Sequence, residues 1–216
     1  MAIDSYATLK SAVQTYTVRP DSVFGNMVPT FVELAEARLY DGAGEPGDDM
    51  YSPPLRSSVM EVTGSIAVAA GVGTLPASAL EVRKIYAEDN LSGITYQTPE
   101  RFEELNANAS AGRPVYYTVE ANQIKITPAV TGNLLLAYAS RYPAITTSNT
   151  TGPLIIAHGT LYLEAVLFEA FTFLQEGDSA KAHFLKFKSL LQGANRTSAS
   201  MRYPGPKRVV SRLVFP

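Results

Sequence analysis

The β-rich part of the fold is set by residues 115–127, which read VYYTVEANQIKIT. Residues 115–119 and 123–127 are rich in aromatic and β-branched side chains, which favour strands. The three residues between them, Glu120-Ala121-Asn122, are short and polar enough to form a turn. This stretch therefore predicts a β-hairpin.

Further strands lie on both sides of the hairpin. Before it, residues 59–68 alternate between two faces with the period of 2 that is typical of a strand. After it, residues 134–142 form an apolar run that Pro143 stops. We therefore expect residues 57–145 to form one β-rich region with antiparallel strands.

Helical periodicity precedes this region. Residues 6–16 place their apolar side chains on one stripe of a helix. Residues 28–39 repeat the pattern, with Asn26 as the candidate N-cap and Pro29 in the first turn. Residues 1–40 are therefore predicted to form a pair of helices.

A second helical pair follows the β-rich region. Residues 153–175 are apolar around most of the helical circumference, which predicts burial on more than one side. Gly177 ends this helix, and residues 180–194 form the next one. Residues 153–194 are therefore predicted to form a tight antiparallel helical hairpin.

Two segments lack a helical or strand period. Residues 41–56 are rich in Gly, Pro and acidic residues, which predicts an exposed loop. Residues 195–216 hold three prolines, four arginines and one lysine, and end in alternating apolar and basic residues. We expect them to form an extended arm. The complete prediction is an α+β fold: a four-helix core, an inserted antiparallel β-rich subdomain and an extended C-terminal arm.

Composition limits the classes of function. The 216 residues include no cysteine, which excludes disulfides and thiolate metal sites. Because no apolar run approaches the roughly 20 residues of a membrane span and the start lacks a leader pattern, we expect a cytosolic protein without membrane contact. The net charge of −2 conceals an asymmetry, since eight cations and no carboxylate follow Asp178. The C-terminal end is the basic end of an otherwise acidic molecule.

The residues that could form catalytic or metal-binding motifs are better explained by structural roles. His158 and His183 lie on different predicted helices without a second ligand at helical spacing, so packing or capping explains them better. Gly71-Val72-Gly73 lacks the lysine and the helix of a phosphate loop, which favours a β-turn. The carboxylate pairs Asp48-Asp49 and Glu103-Glu104 lie in polar stretches. The sequence predicts neither an enzyme nor a bound cofactor.

The basic arm allows three interpretations. It is a solvated terminus, a nucleic-acid arm whose arginines neutralise phosphates, or a peptide that docks by strand addition or groove insertion. Its aromatic residues, Tyr203 and Phe215, are few for stacking on bases. The alternation of side chains over residues 209–214 favours the docking peptide.

The order of these signals resembles that of bacteriophage head-to-tail adaptor proteins. The resemblance covers most of residues 4–194 and consists of helix and strand packing patterns. The stretches that carry it are DSYATLKSAV (4–13), VPTFVELAEARL (28–39), LP (75–76), LEVRKI (80–85), GRPVYYTV (112–119), IKITPA (124–129), LAYASRYPAI (136–145) and LYLEAVLFEA (161–170).

The resemblance implies a homo-oligomeric ring of about twelve copies beneath the portal protein, in the neck of a virion assembled in the host cytoplasm. It also implies that the C-terminal arm reaches the portal and that tail or nozzle proteins bind the opposite side. Genomic DNA would pass through the lumen without sequence-specific binding. The acidic loop at residues 41–55 departs from the more basic stretch expected there.

Two sets of residues carry this structural hypothesis, in which no residue is catalytic and none binds a cofactor or a metal. The portal-docking arm comprises Arg202, Tyr203, Pro204, Lys207, Arg208, Val210, Arg212, Leu213 and Phe215. The subunit interface of the ring comprises Leu154, Leu161, Phe168 and Phe173. The alternative, from another functional class, is a nucleic-acid-binding module that uses the same basic arm.

Overall fold

The computed structural model describes residues 2–87 and 90–202. Over these residues the chain has the predicted mixed α+β class, with five α-helices and seven β-strands. The helices are α1 (Tyr6–Tyr16), α2 (Ser22–Asp41), α3 (Pro99–Ala107), α4 (Pro153–Phe173) and α5 (Gly177–Arg202). The strands are β1 (Glu61–Ala69), β2 (Val72–Thr74), β3 (Ala79–Ala87), β4 (Asn90–Tyr96), β5 (Tyr116–Glu120), β6 (Gln123–Thr127) and β7 (Gly132–Ser140).

The chain divides into two compact units. The helical unit contains the residues up to Ser58, Ile145–Thr151 and the residues from Ile155 onward, so it holds α1, α2, α5 and nearly all of α4. The β unit contains Val59–Ala144 and Gly152–Leu154, and it holds the strands and α3.

The described strands of the β unit close into a barrel in the order β1-β2-β6-β5-β4-β3-β7. Neighbouring strands are antiparallel, except that β4 and β5 are parallel. Because alternate residues of a strand point to opposite faces, each strand contributes every second side chain to the interior. The buried apolar residues of this interior are Ile66, Val68, Leu75, Ile85, Ala87, Ile94, Tyr117, Ile124, Ile126, Leu134, Leu136 and Tyr138.

Two tight turns agree with the sequence patterns. The predicted hairpin is β5 and β6, joined by Ala121 and Asn122 with φ of 46° and 62°. Two successive positive φ angles are those of a type I′ turn, which matches the twist of paired strands. Gly71, in the turn between β1 and β2, has a φ of +82°, and an added Cβ would lie 2.9 Å from the Cβ of Ala129. Glycine therefore fits this turn for conformational and steric reasons.

Strand β3 does not show a simple alternation of apolar residues, and its pairing explains why. Its register with β7 shifts between Ala79 and Glu81, and again between Val82 and Lys84. Each shift is a β-bulge, which inserts an extra residue and changes the face on which the following side chains lie. The sequence of β3 therefore lacks the uninterrupted period of 2 that predicts a strand.

Helix α2 begins earlier than the sequence pattern predicts. The Asp21 carboxylate accepts a hydrogen bond from the Phe24 amide at 2.8 Å, so the helix starts at Ser22. The predicted cap, Asn26, and Pro29, predicted in the first turn, both lie inside the helix. Aspartate is a strong N-cap, and this cap precedes the one we expected.

Helix α4 corrects the expectation that no apolar run approaches the length of a membrane span. Among the described residues it is the helix that is long and apolar enough to cross a membrane, judged by length and composition. Within the protein, 61% of an apolar 18-residue stretch of this helix is buried. Packing inside the chain therefore accounts for the apolar circumference of this helix.

Candidate protein interaction site

The end of α5 differs from the sequence prediction. The helix continues to Arg202, about two turns beyond the predicted end at Ala194. Residues 195–202, predicted to begin the extended arm, are therefore helical. Their helical conformation is stabilised by contacts with residues 54–58, the chain segment that leads into β1. Because these residues are far away in the sequence, the local sequence pattern does not predict the contacts.

Asn195 and Ser198 bind that segment through its backbone. The Asn195 Oδ1 accepts from the Arg56 amide at 2.7 Å, and its Nδ2 donates to the Pro54 carbonyl at 3.0 Å. The Ser198 Oγ accepts from the Ser58 amide at 3.0 Å. We refer to Asn195, Ser198 and Arg202, with the backbone they bind, as the α5 clamp.

Arg202 completes the α5 clamp. Its Nη2 donates to the Arg56 carbonyl at 3.3 Å. Arg56 in turn donates from Nη1 to the carbonyls of Tyr40 and Leu55, at 3.1 and 2.8 Å. Two guanidinium groups therefore connect the end of α2, the segment before β1 and the end of α5. Arg202, predicted to dock on the portal, is partly buried and engaged in this internal contact.

A sequence signal for the clamp exists. Asn195, Ser198 and Arg202 are spaced by three and four residues, which places them on one face of a helix.

The other predicted docking residues lie outside the described residues. With residues 195–202 in α5, the predicted arm shortens to the 14 residues 203–216, which span at most roughly 46–50 Å when extended. The docking residues in this part are Tyr203, Pro204, Lys207, Arg208, Val210, Arg212, Leu213 and Phe215.

The predicted subunit interface stays a prediction, and its four residues differ in how accessible they are. Leu154, Leu161 and Phe168 are only 2%, 3% and 5% exposed, so their side chains pack inside the chain itself. A side chain buried in this way has little surface to offer a neighbouring subunit. Phe173, at the end of α4, is 53% exposed, and its ring centroid lies 5.4 Å from that of Phe31. Of the four residues, Phe173 retains an accessible apolar surface.

Arg38 joins α2 to α4 beside the buried Phe168. Its Nε donates to Glu169 Oε1 at 3.1 Å, and both side chains are largely buried. The guanidinium carbon also lies 4.8 Å from the ring centroid of Phe168 and 6.0 Å from that of Phe184. The ion pair and the cation–π contacts together fix the position of α2 relative to α4 and α5.

A buried carboxylate, Glu36, makes a second connection. Its Oε1 accepts from the Tyr162 hydroxyl at 3.1 Å and from the Ile145 amide at 2.9 Å. Burial, followed by the nearby Glu36 carboxylate and Tyr40, raises the pKa of the Tyr162 phenol. The phenol therefore keeps its proton and remains a donor to Glu36.

Both histidines have partners within the helical unit. His183 Nδ1 lies 2.6 Å from Glu164 Oε2, and its ring stacks on Phe171 with 5.0 Å between centroids. His158 Nε2 lies 2.8 Å from Ser57 Oγ, and burial lowers the pKa of this imidazole. Packing and hydrogen bonding account for both rings. Over the described residues, no group of three or more His, Asp or Glu side chains is placed to hold a metal ion.

The beginning of the chain packs closely against α4 at Gly159. The preceding residue, His158, has a φ of −132° and a ψ of 39°, which interrupts the regular helix. An added Cβ on Gly159 would lie 1.9 Å from the Ile3 carbonyl oxygen. Only glycine permits this approach of the two backbones.

The acidic loop after α2 is exposed at its tip and anchored at its base. Ala43 and Ser52 exchange two backbone hydrogen bonds of 2.9 Å, and Asp48 Oδ2 accepts from the Glu45 amide at 3.0 Å. Leu55 is fully buried, whereas Asp48 is exposed. The loop therefore presents its carboxylates on an ordered turn.

The described residues form a helical unit held by buried polar contacts and a small closed barrel. The model of the SU10 adaptor protein family matches residues 4–210, and the chain belongs to this family. The resemblance to phage head-to-tail adaptors is thereby confirmed. Membership makes the chain a phage adaptor structural protein, and the family implies a component of the virion neck that interacts with portal and tail components. Comparison with curated proteins gives no match.

Proposed function

We infer that the chain is one subunit of an adaptor ring that joins a phage portal to the tail. The observation that carries this function is the family match over residues 4–210, which includes both structural units. The four helices α1, α2, α4 and α5 form the subunit core, and the barrel lies between the two helical pairs in the sequence. A ring of about twelve copies, arranged head to tail, encloses a lumen for genomic DNA.

The α5 clamp supports docking of residues 203–216 on the portal. It holds Arg202 at the end of a 26-residue helix, so the docking arm leaves from a fixed base. A fixed base reduces the freedom that is lost on binding, and Pro204 and Pro206 reduce the entropy of the free arm. Each apolar anchor of the arm, such as Leu213 or Phe215, contributes roughly 1.5–3 kcal/mol when fully buried.

The ring contact uses an exposed apolar side chain of the helical unit, which a neighbouring subunit would cover from water. Phe173 is such a residue, with 53% of its surface exposed. Phe173→Glu should weaken ring formation in native mass spectra of the portal complex. Gln175→Glu, an exposed position two residues further on, is the matched control and should leave the ring intact.

Portal docking is tested by deleting residues 203–216. The deletion should abolish co-sedimentation with the portal and leave the circular dichroism spectrum unchanged, because the buried residues of the described core precede residue 203. A full-length variant, Leu213→Asp with Phe215→Asp, should lose binding as well. Undiminished co-sedimentation of both variants would refute docking through this arm.

The charge asymmetry favours nucleic-acid binding as a second candidate function. Eight cations and no carboxylate follow Asp178, and Lys181, Lys188 and Arg196 share one face of α5 by their spacing. Affinity for duplex DNA that falls steeply with salt, and is lost in a Lys207→Glu, Arg208→Glu variant, would favour this function. Portal binding that persists at high salt would favour the adaptor.

A further inference from the structure

The barrel contains a slot that continues the line of β4. Strand β4 pairs with β3 over Ile85–Ala87 and with β5 at Tyr116 and Tyr117. After its last residue, Tyr96, the Gln97 amide still donates to the Tyr117 carbonyl of β5 at 2.8 Å, and α3 begins at Pro99. The first half of β3 and the second half of β5 therefore extend beyond the strand that separates them.

The dimensions of this slot suit one additional strand. Strand β4 lies between β3 and β5 and pairs with both of them. At the end of β4, β3 and β5 are therefore separated by the width of one strand. An added strand that follows the direction of β4 would run antiparallel to β3 beside residues 79–83 and parallel to β5 beside residues 118–120. Strand edges of this kind offer backbone N–H and C=O groups to an incoming peptide.

The slot also offers an apolar cavity of about 390 Å³. Tyr96, at its rim, is 53% exposed and packs edge-on against Tyr117 with 5.6 Å between ring centroids. An extended peptide with apolar side chains would bury this surface. The apolar residues that line the cavity include Leu75, Leu80, Val82, Tyr96, Tyr117 and Val119.

The chain supplies a segment of matching chemistry after Arg202. Residues 209–215 read VVSRLVF, in which apolar residues surround Ser211 and Arg212, and the chain ends one residue later at Pro216. As a strand, seven residues span about 24 Å, against about 17 Å for residues 79–83 of β3. A β-prone segment of this kind without proline is prone to aggregate when it is left uncovered.

We propose that residues 209–215 of a second copy of the chain occupy this slot by strand addition while the copies are not bound to a portal. The proposal rests on the proposed function, in which the same residues dock on the portal. Slot and portal therefore compete for the arm, and the slot covers its apolar side chains until a portal is present.

Photo-cross-linking of the full-length chain tests the proposal. Leu213 is replaced by p-benzoylphenylalanine, the protein is irradiated without portal, and the adducts are located by peptide mass spectrometry. The slot predicts adducts within residues 79–83 and 117–119. The same photoreactive residue at the exposed Gln192 of α5 should give none there. Adducts from position 213 that lie elsewhere, or no adducts, would overturn the proposal.

A variant of the slot provides a second readout. Leu80→Asp places a carboxylate in the apolar cavity and should lower the adduct yield about tenfold or more. Val72→Asp, at a 40% exposed position of the same barrel and outside the slot, is the control and should retain the yield. Equal yields in the two variants would contradict the slot.

Adding purified portal separates the two proposals. Adducts should move from the slot to the portal if both are correct. Portal adducts without slot adducts in the free protein would overturn the slot and leave the adaptor function standing. Slot adducts that persist in the presence of excess portal would instead refute portal docking by the arm.

Discussion

Replacing Asn195 with alanine should loosen the base of the docking arm. The Asn195 side chain accepts from the Arg56 amide at 2.7 Å and donates to the Pro54 carbonyl at 3.0 Å. Alanine removes both hydrogen bonds and keeps the helix. The variant therefore isolates the contact that, in our interpretation, extends α5 beyond the end predicted from the sequence.

The expected loss of stability follows from these two bonds. Each contributes about 0.5–1.5 kcal/mol net, which gives about 1–3 kcal/mol together. The higher helix propensity of alanine offsets up to about 0.7 kcal/mol. We therefore expect the free energy of unfolding to fall by about 0.3–3 kcal/mol, at about 2–4 °C of Tm per kcal/mol.

Urea unfolding and amide hydrogen exchange measure this effect. The control is Gln192→Ala, one turn earlier on an exposed position, which should change stability by less than about 0.5 kcal/mol. The Arg56 amide should exchange faster in Asn195→Ala and at the wild-type rate in Gln192→Ala. If the two variants are equally stable and this amide exchanges at the same rate in both, the α5 clamp does not stabilise the arm.

Three further perturbations test the helical unit. Gly159→Ala should lower the Tm, because its Cβ would lie 1.9 Å from the Ile3 carbonyl oxygen. The control is Gly193→Ala, whose Cβ has no atom within 4 Å and which should stabilise the protein by about 0.5–1 kcal/mol. A similar Tm change in both variants would contradict the close approach of Gly159 to Ile3. Glu36→Ala removes the carboxylate that accepts from the buried Tyr162 hydroxyl and the Ile145 amide. Urea unfolding should show a free energy of unfolding that is lower by at least about 2 kcal/mol. The control, Glu33→Ala at an exposed position of the same helix, should change this free energy little. Because burial lowers the pKa of His158 in the folded state, the unfolded chain takes up the proton more readily, so stability should be full above the ordinary value of 6.5 and decline as the pH falls below it. His158→Gln should flatten this part of the stability profile, and an unchanged slope would show that another group controls it.

Local sequence patterns predicted the elements whose signals are complete within a few residues. The hairpin of β5 and β6 carries its strand formers and its turn in one stretch, and the structure confirms it. Helix α1 likewise follows one apolar stripe and begins after its cap, Ser5. The misplaced start of α2 shows the limit of this approach, because both Asp21 and Asn26 are good caps and the sequence does not rank them.

Features that depend on distant residues were not predictable in the same way. The barrel closes through pairs such as β3 with β7, and the bulges in β3 hide its period. The burial of Glu36 is set by Tyr162 and Ile145, which are far away in the chain. The length of α5 depends on its contacts with residues 54–58, so the local pattern ended the helix too early, at Ala194.

The candidate interface shows why an apolar helix is ambiguous. The circumference of α4 predicted burial on several sides, which fits either a neighbouring subunit or the chain's own core. Leu161 and Phe168 are buried within the chain. Side-chain type alone does not distinguish the two environments.

Electron cryomicroscopy of the neck in purified virions tests most directly whether this chain is the head-to-tail adaptor. We expect a ring of about twelve copies of this α+β fold between portal and tail, with residues 203–216 of each copy in contact with the portal. A neck without this chain, or a ring whose C-terminal residues lie away from the portal, would contradict the adaptor function proposed for it.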